Sequence, residues 1–486
     1  MEKYFEKFRQ QTIGNNLHFQ TPYGFKKMIY ADWVASGRLY APIEKKLTEE
    51  IGPYVGNTHT ETSETGTMMT KAYHLSLNKI KQHVNAGPND VIITFGSGMT
   101  AVITKLQRML GLKSCSNNTG IHCTKDFEKA VVFITHMEHH SNHTSWFETN
   151  ADVVLLKPTK NLLVDLDELR NQLEIYKDRK FKIGSFTACS NVTGVGTPYH
   201  AMAKIMHEYG GVCFVDFAAS APYMDMNMHP ADPMEKLDAV MFSPHKFLGG
   251  PGSSGVLVFA SSLYHNATPD QPGGGTVEWT NAWGEYKYID DIEIREDGGT
   301  PGFLQAIRTA LCIELKNQIG VKNMQIREEE LVKIAFEELS KVPKLHILAD
   351  NVKHRLGILS FYIENIHYNL IVKMLNDRFG VQVRGGCACA GTYGHFLLDV
   401  THEKSREITD LINTGDLSEK PGWVRLSLHP TLSNEDLYLI TDAILQIKEN
   451  HLEWSKDYIY NKHTNEFQHP LNSTSSEEKL KQWFSI

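Results

Sequence analysis

A repeated alternation constrains this chain more than any other feature. From about Ile92, short β-branched runs are separated by helical patterns: "VIITF", "AVVFIT", "ADVVLL", "KIGSFTA", "GVCFVDF", "LDAVMF" and "GVLVFA". Near-continuous apolar runs suit strands buried on both faces, and parallel strands need crossovers of the kind that lie between them. The expectation is an α/β, doubly wound large domain with a mainly parallel sheet. After the turn-rich "TPDQPGGGTVEWTNAWGEY" comes a long helical run from Phe303 to Ser340. Then follow the strand "LGILSFYI", a helix from Tyr368 to Arg378, the strands "VQVRG" and "GWVRLSL", and a helix after Ser433. That mixture reads as a smaller α+β C-terminal domain. The expected division is 1–30 as an N-terminal segment packing on the small domain, 31–295 as the large domain, 296–455 as the small domain and 456–486 as a polar C-terminal appendage.

The length of 486 residues, with 41% of them hydrophobic, supports more than one core and therefore two domains. The net charge of −8 arises from 57 acids and 49 bases without long single-sign blocks, which argues against a hold on nucleic acid. The opening "MEKYFEKFRQQ" mixes charges where a signal peptide needs an apolar centre, and no stretch approaches the ~20 apolar residues of a spanning helix. A cytoplasmic protein with no membrane partner is expected. Among seven cysteines only Cys387 and Cys389 lie close together, without zinc-like spacing, so no metal and free thiols are expected.

In open α/β sheets ligands gather beyond the carboxyl ends of the strands, and here each such loop carries polar groups. After "VIITF", Gly96, Ser97, Gly98, Met99 and Thr100 open a helix and offer N–H groups and a helix dipole to an anion such as phosphate. "HMEHHSN" supplies His139, able to lie flat on an aromatic ring. "KIGSFTACS" leads to Asn191, a side-chain donor. "GVCFV" ends in Asp216, an acid that is costly to bury without a partner. "FSPHKFLGGPGSSG" presents Ser243, His245 and Lys246 before four glycines. These residues call for a ligand with a phosphate, an aromatic ring needing a negative partner, and a carbonyl that a lysine can attack. Pyridoxal 5'-phosphate has all three: Lys246 takes the aldehyde as a Schiff base, and Asp216 keeps the ring nitrogen protonated. The glycines let the backbone turn closely beneath such a group.

From about Tyr30 to Ile447 the order of these pieces resembles the class V aminotransferase family of fold type I pyridoxal-phosphate enzymes, in its cysteine desulfurase and selenocysteine lyase branch. The resemblance implies a phosphate site at Gly98, Met99, Thr100, Ser243 and His245, with Thr300 of "GGTP" reaching the phosphate of the partner subunit in a homodimer. It implies His139 stacked on the ring as a catalytic residue, Asn191 at the ring hydroxyl, Asp216 at the ring nitrogen and Lys246 at the aldehyde. Where the family usually has a glutamine, this chain has Ala219. In the C-terminal domain, "VQVRGGCACAG" resembles the desulfurase pattern and maps Arg384, Gly386 and the catalytic Cys389. Two histidines usual before that cysteine are replaced by Cys387 and Ala388. Arg425 of "WVRLSLHPT" is implied to grip the substrate carboxylate, as a guanidinium can bidentately, with Arg384 and Ala35 as further substrate contacts.

The activity implied is removal of sulfur or selenium from cysteine or selenocysteine to give alanine through a persulfide on Cys389, with a small amino acid as substrate and a sulfur-acceptor protein as partner. Two other readings stand beside it. One is an aminotransferase, epimerase or kynureninase-like enzyme of the same family in which Cys389 is incidental. The other is a non-catalytic cofactor-binding or sulfur-relay protein. If Cys387 and Cys389 lie in extended chain, their side chains point the same way.

Overall fold

The structure, a computed structural model, describes residues 1–113, 129–471 and 475–485. Cys115 and Cys123 lie outside these residues; the other five cysteines are free thiols. The chain divides into two compact units, one of Met1–Val34, Asn191–Gly194 and Ile326–Ile486, the other of Ala35–Ser190 and Val195–Gln325.

The second unit is built on a seven-stranded sheet in the spatial order Asp90–Phe95, Gly255–Ala260, Ala239–Phe242, Val212–Asp216, Lys182–Thr187, Val131–Ile134, Asp152–Leu155. All seven strands read from the apolar runs are present. Neighbours pair in parallel except that Gly255–Ala260 runs antiparallel to both of its neighbours. Val131–Ile134 and Lys182–Thr187 are buried along their whole length, which is why these segments are continuous rather than alternating in hydrophobicity. The helix Met99–Met109 presents Val102, Ile103, Leu106 and Met109 to the core at helical spacing. The expected long helix from Phe303 is two helices, Phe303–Ile319 and Val321–Leu339. Gly320, at φ 83°, ends the first by taking the left-handed conformation that other residues resist. Phe303–Ile319 lies against the helix Glu64–His83 within this unit, so the unit extends to Gln325 rather than ending at residue 295.

The first unit has a four-stranded antiparallel sheet in the order Leu345–Ile347, Ile358–Ile363, Trp423–Ser427, Arg384–Gly386. "VQVRG" is not one strand: Val381–Gln382 pairs in parallel with Ile29–Tyr30, and Arg384–Gly386 joins the sheet. The helix Asn434–Trp454 starts where Ser433 Oγ accepts from the Asp436 N–H at 3.0 Å, and it buries Leu437, Ile440, Ile444 and Ile447. The N-terminal helix Glu2–Gln11 buries Phe5 and Phe8, and its Glu2 carboxylate accepts from the Asn434 N–H at 2.9 Å. The appendage forms an antiparallel hairpin, Ile459–Asn461 with Glu466–Gln468.

Candidate functional site

In the second unit the loops at the strand ends converge. Asp90–Phe95 runs into Gly96, at φ 58°, and Gly98 then caps the helix Met99–Met109. The Met99 N–H donates to Ser243 Oγ at 2.9 Å. Thr100 Oγ1 lies 2.5 Å from Ser141 Oγ, which lies 3.1 Å from His139 Nδ1; the Ser141 N–H also donates to that nitrogen at 3.1 Å. A Cβ on Gly98 would stand 3.1 Å from Ser243 Oγ and 3.5 Å from the His245 ring. The helix N-terminus, the Ser243 hydroxyl and the His245 imidazole thus surround a space that the bare glycine leaves open, and their donors suit an anion. Burial, and then the charge of Lys246, pull His245 down to about 4, so it is neutral at pH 7 and can donate from one ring nitrogen.

Asp216 closes the strand Val212–Asp216 and is 4% exposed. Its Oδ1 accepts from the Ala218 N–H at 2.8 Å. Burial pushes its carboxyl up to about 6, against the Ala218 hydrogen bond and the positive charge of Lys246. Such a carboxylate is poised for a cationic partner. Lys246 sits in the turn Pro244–Lys246, where the chain packs against itself closely. A Cβ on Gly250 would lie 1.9 Å from the Pro244 carbonyl oxygen, and one on Gly37 1.9 Å from that of Phe247. The glycines around the lysine are therefore obligatory. Ala35 lies two residues before Gly37, whose N–H donates to the His245 carbonyl at 2.9 Å. Thr300 is exposed on the loop after Gly299, and Ala219 is buried.

Glu138, which the sequence reading passed over, orders the His139 loop. It accepts from the Thr135 hydroxyl at 2.7 Å, the Thr187 N–H at 2.9 Å and Asn142 Nδ2 at 2.7 Å. Burial nevertheless pushes it up to about 8. No apolar run marks it in the sequence, where it stands between Met137 and His139.

The first unit holds the other candidates. Arg425, in the strand Trp423–Ser427, is 3% exposed and donates from Nη2 to Asp32 Oδ1 at 2.8 Å. Arg384 Nε reaches Asp32 Oδ2 at 3.3 Å. Burial pulls Arg425 down; Asp32 opposes this, the like charge of Arg384 adds to it, and Cys389 also acts on the guanidinium. Asn191 is buried in this unit, its Nδ2 donates to the Ala388 carbonyl at 2.8 Å, and its Oδ1 has no hydrogen-bond partner. Asp32 was missed, although "IYADW" carries the same cue of an acid after an apolar strand.

The extended geometry that would align the two thiols does not occur. Cys387 follows the strand Arg384–Gly386, and Ala388 (φ 51°) and Cys389 (φ 57°) then form a left-handed turn closed by the Ala390 N–H on the Cys387 carbonyl at 3.0 Å. Two successive non-glycine residues in this region cost of order 1–2 kcal/mol each. The thiols have different neighbours: Cys387 acts on the Tyr368 phenol, and Cys389, which is exposed, acts on Arg425. Among the described residues no group of three or more His, Cys, Asp or Glu is disposed to hold a metal, and no helix is long and apolar enough to cross a membrane.

Comparison with known proteins places this arrangement. A probable cysteine desulfurase of Staphylococcus epidermidis is 28% identical over 372 residues, covering 75% of this chain and 84% of that protein. One of Halalkalibacterium halodurans is 27% identical over 371 residues, with the same coverage. Among solved structures, the apo cysteine desulfurase of Thermococcus onnurineus superposes with a TM-score of 0.72 at 22% identity, covering 92% of this chain and 98% of that one. The cysteine desulfurase CsdA of Escherichia coli superposes with a TM-score of 0.68 at 20% identity and the same coverage. These likenesses show a common fold, and the profile of the aminotransferase class V family matches residues 29–439, so the chain belongs to that family.

Proposed function

We propose that the chain is a pyridoxal-phosphate-dependent cysteine desulfurase or selenocysteine lyase, acting as a homodimer and passing sulfur to an acceptor protein. The observation that carries this reading is Cys389: an exposed thiol held in a left-handed turn, in the same unit as the buried Arg425 on whose charge it acts. Left-handed strain at a non-glycine residue persists where a side chain must be presented in one place.

The second unit fits the cofactor. The cradle left open by Gly98 suits its phosphate, with Met99, Thr100, Ser243 and His245 as the holding residues. Thr300 is assigned to the phosphate of the partner subunit, and His139 to the ring face. Asp216, raised by burial, gains its counter-charge by keeping a proton on the ring nitrogen. The ring hydroxyl is assigned to Asn191, a residue of the first unit whose buried Oδ1 lacks a donor. When bound, the cofactor supplies an electron sink for the pair left at the substrate α-carbon.

Lys246 would hold the cofactor's aldehyde end through Nζ and would move the α-proton of the substrate. Arg425, Arg384 and Ala35 are assigned to the substrate. The Cys389 thiolate attacks the substrate sulfur. The Sγ–S bond forms, the substrate Cβ–S bond breaks, and its electron pair remains on Cβ, which takes a proton to give alanine. The sulfur stays on Cys389 as a persulfide.

The test is borohydride reduction of the purified yellow protein, peptide mapping, and assay of alanine and sulfide from cysteine with dithiothreitol present. The adduct is expected on Lys246, with alanine and sulfide in equal amounts. Transamination of another amino acid without cysteine consumption overturns the reading in favour of an aminotransferase with incidental cysteines. Comparing selenocysteine with cysteine in the same assay decides between lyase and desulfurase.

A further inference from the structure

Asp216 does not stand alone: a second buried acid, Glu138, is hydrogen-bonded to the strand that pairs with it. Glu138 is 2% exposed, and the groups around its carboxylate have fixed parts. Oε1 accepts from the Thr187 N–H at 2.9 Å and the Thr135 N–H at 3.3 Å, and Oε2 accepts from Asn142 Nδ2 at 2.7 Å. The amide of Asn142 cannot turn over to offer its oxygen instead. Its Oδ1 is taken by Trp146 Nε1 at 3.2 Å and by Ser185 Oγ at 2.6 Å, and an indole N–H can only donate. These donors favour the carboxylate form. The Thr135 hydroxyl, 2.7 Å from Oε1, suits either form, since it donates to an ionised Glu138 and accepts from a protonated one. Oε1 can therefore gain or lose a proton without setting a donor against a donor.

Thr187 and Asp216 are register partners in the parallel pair Lys182–Thr187 and Val212–Asp216, and the Ala188 N–H donates to the Asp216 carbonyl at 2.8 Å. Two successive backbone N–H groups thus go one to Glu138 and the other to Asp216. Asp216, pushed up to about 6 by burial, ionises first. Burial, and in smaller part the charge of Asp216, then push Glu138 up to about 8 against its hydrogen bonds from Thr135, Thr187 and Asn142. The positive charge of Lys246 acts on Asp216. His136, pulled down to about 4 by burial, brings Glu138 no compensating charge at neutral pH. At pH 7 the apoprotein accordingly holds Asp216 ionised and Glu138 protonated.

We propose that Glu138 is a positioning residue for the cofactor that works through Asp216: when Asp216 pairs with the protonated ring nitrogen, Glu138 releases its proton to water, and its carboxylate then holds the proton on that nitrogen more firmly. The inference rests on the pyridoxal-phosphate reading. The proton that sat on Glu138 before loading is in bulk water afterwards, and the ring nitrogen keeps its own. The two effects are one quantity. Whatever factor the ring cation takes from the proton affinity of Glu138, the ionised Glu138 adds to that of the ring nitrogen.

The test reads protons rather than turnover. Protein carrying isotope-labelled glutamate is titrated across neutral and alkaline pH, and the infrared carbonyl band of protonated glutamic acid is followed. Glu328, in the first unit, is likewise pushed up to about 8 by burial. The spectra are therefore taken on Glu328→Gln protein, whose amide keeps an acceptor for the Gly357 N–H. The remaining buried band is expected at pH 7, to fade near pH 8, and to be missing in Glu138→Gln. Saturating pyridoxal phosphate, or Asp216→Asn in the apoprotein, is expected to move the fading point down by about half a pH unit or more, a threefold change or more in proton affinity. In Asp216→Asn, loading should move it no further. These shifts need no substitution at Glu138, so they stand even if Glu138→Gln fails to fold because its Nε2 faces Asn142 Nδ2. A band absent at pH 7, or unmoved by loading or by Asp216→Asn, overturns the proposal alone. Native apoprotein that gains no visible absorbance from pyridoxal phosphate overturns the cofactor reading and this inference with it.

Discussion

Asp32 holds Arg425 through a 2.8 Å ion pair, and the same carboxylate reaches Arg384 at 3.3 Å, so one acid of the N-terminal segment fixes both arginines that flank the thiol loop. Arg425 is almost wholly buried. Removing its partner leaves a desolvated charge uncompensated, which costs about 3 kcal/mol or more. Asp32→Asn should therefore lower the unfolding free energy of the unit that carries Cys389, read from urea denaturation, by that amount. Asp32→Leu combined with Arg425→Met should recover most of it, because an apolar pair carries no desolvation cost. An unchanged midpoint in Asp32→Asn would show the pair to be energetically idle.

Asp216 sets a pH dependence. Its folded carboxyl lies at about 6 against an ordinary 3.8, so the apoprotein pays for ionising it. Below about pH 4 both folded and unfolded chains hold the proton and nothing is lost. As pH rises through 6 the folded state must release it, and about 3 kcal/mol of stability is given up. Asp216→Asn apoprotein should consequently unfold at a higher temperature than the native apoprotein at pH 8, with the gap closing towards pH 4. The same substitution should slow alanine formation by several orders of magnitude, since a preorganised charge is removed. A gap that does not vary with pH contradicts the assignment.

Gly98 separates folding from binding. Its φ of 168° is extended backbone open to any residue, but an added Cβ would crowd Ser243 Oγ at 3.1 Å and the His245 ring at 3.5 Å. Gly98→Ala should leave the thermal midpoint of the apoprotein nearly unchanged while weakening cofactor affinity about tenfold, or about 1.4 kcal/mol. Equilibrium dialysis of pyridoxal phosphate measures the second quantity. Equal affinity in the variant would place the phosphate elsewhere.

The two thiols should behave differently. Cys389→Ser should abolish alanine and sulfide formation from cysteine while leaving the bound-cofactor spectrum intact, because no cofactor contact is assigned to the Cys389 thiol. Cys387→Ser should be mild, since the sulfur is assigned to Cys389 and not to Cys387. Residual selenium release by Cys389→Ser would mark a selenocysteine lyase. Normal cysteine turnover by the double mutant would make both cysteines incidental.

The sequence determined the seven strands of the large sheet, because segments buried on both faces must be apolar throughout and nothing distant is needed to read them. It also marked the chemistry at strand ends: an acid closing an apolar strand is costly wherever it occurs, so Asp216 stood out and Asp32 carried the same cue unread, whereas Glu138 stands among histidines beyond its strand. Tertiary structure alone decided the rest. The break at Gly320, the packing of Phe303–Ile319 against Glu64–His83 and the left-handed turn at Ala388 and Cys389 depend on backbone conformation and on contacts between residues far apart in sequence. The pairing of Asp32 with Arg425 spans nearly the whole chain, and the C-terminal hairpin reaches Tyr368 through Asn465. Local propensity and hydrophobic period report how a segment buries its own side chains; which charges and thiols meet is fixed only when segments remote in sequence pack together.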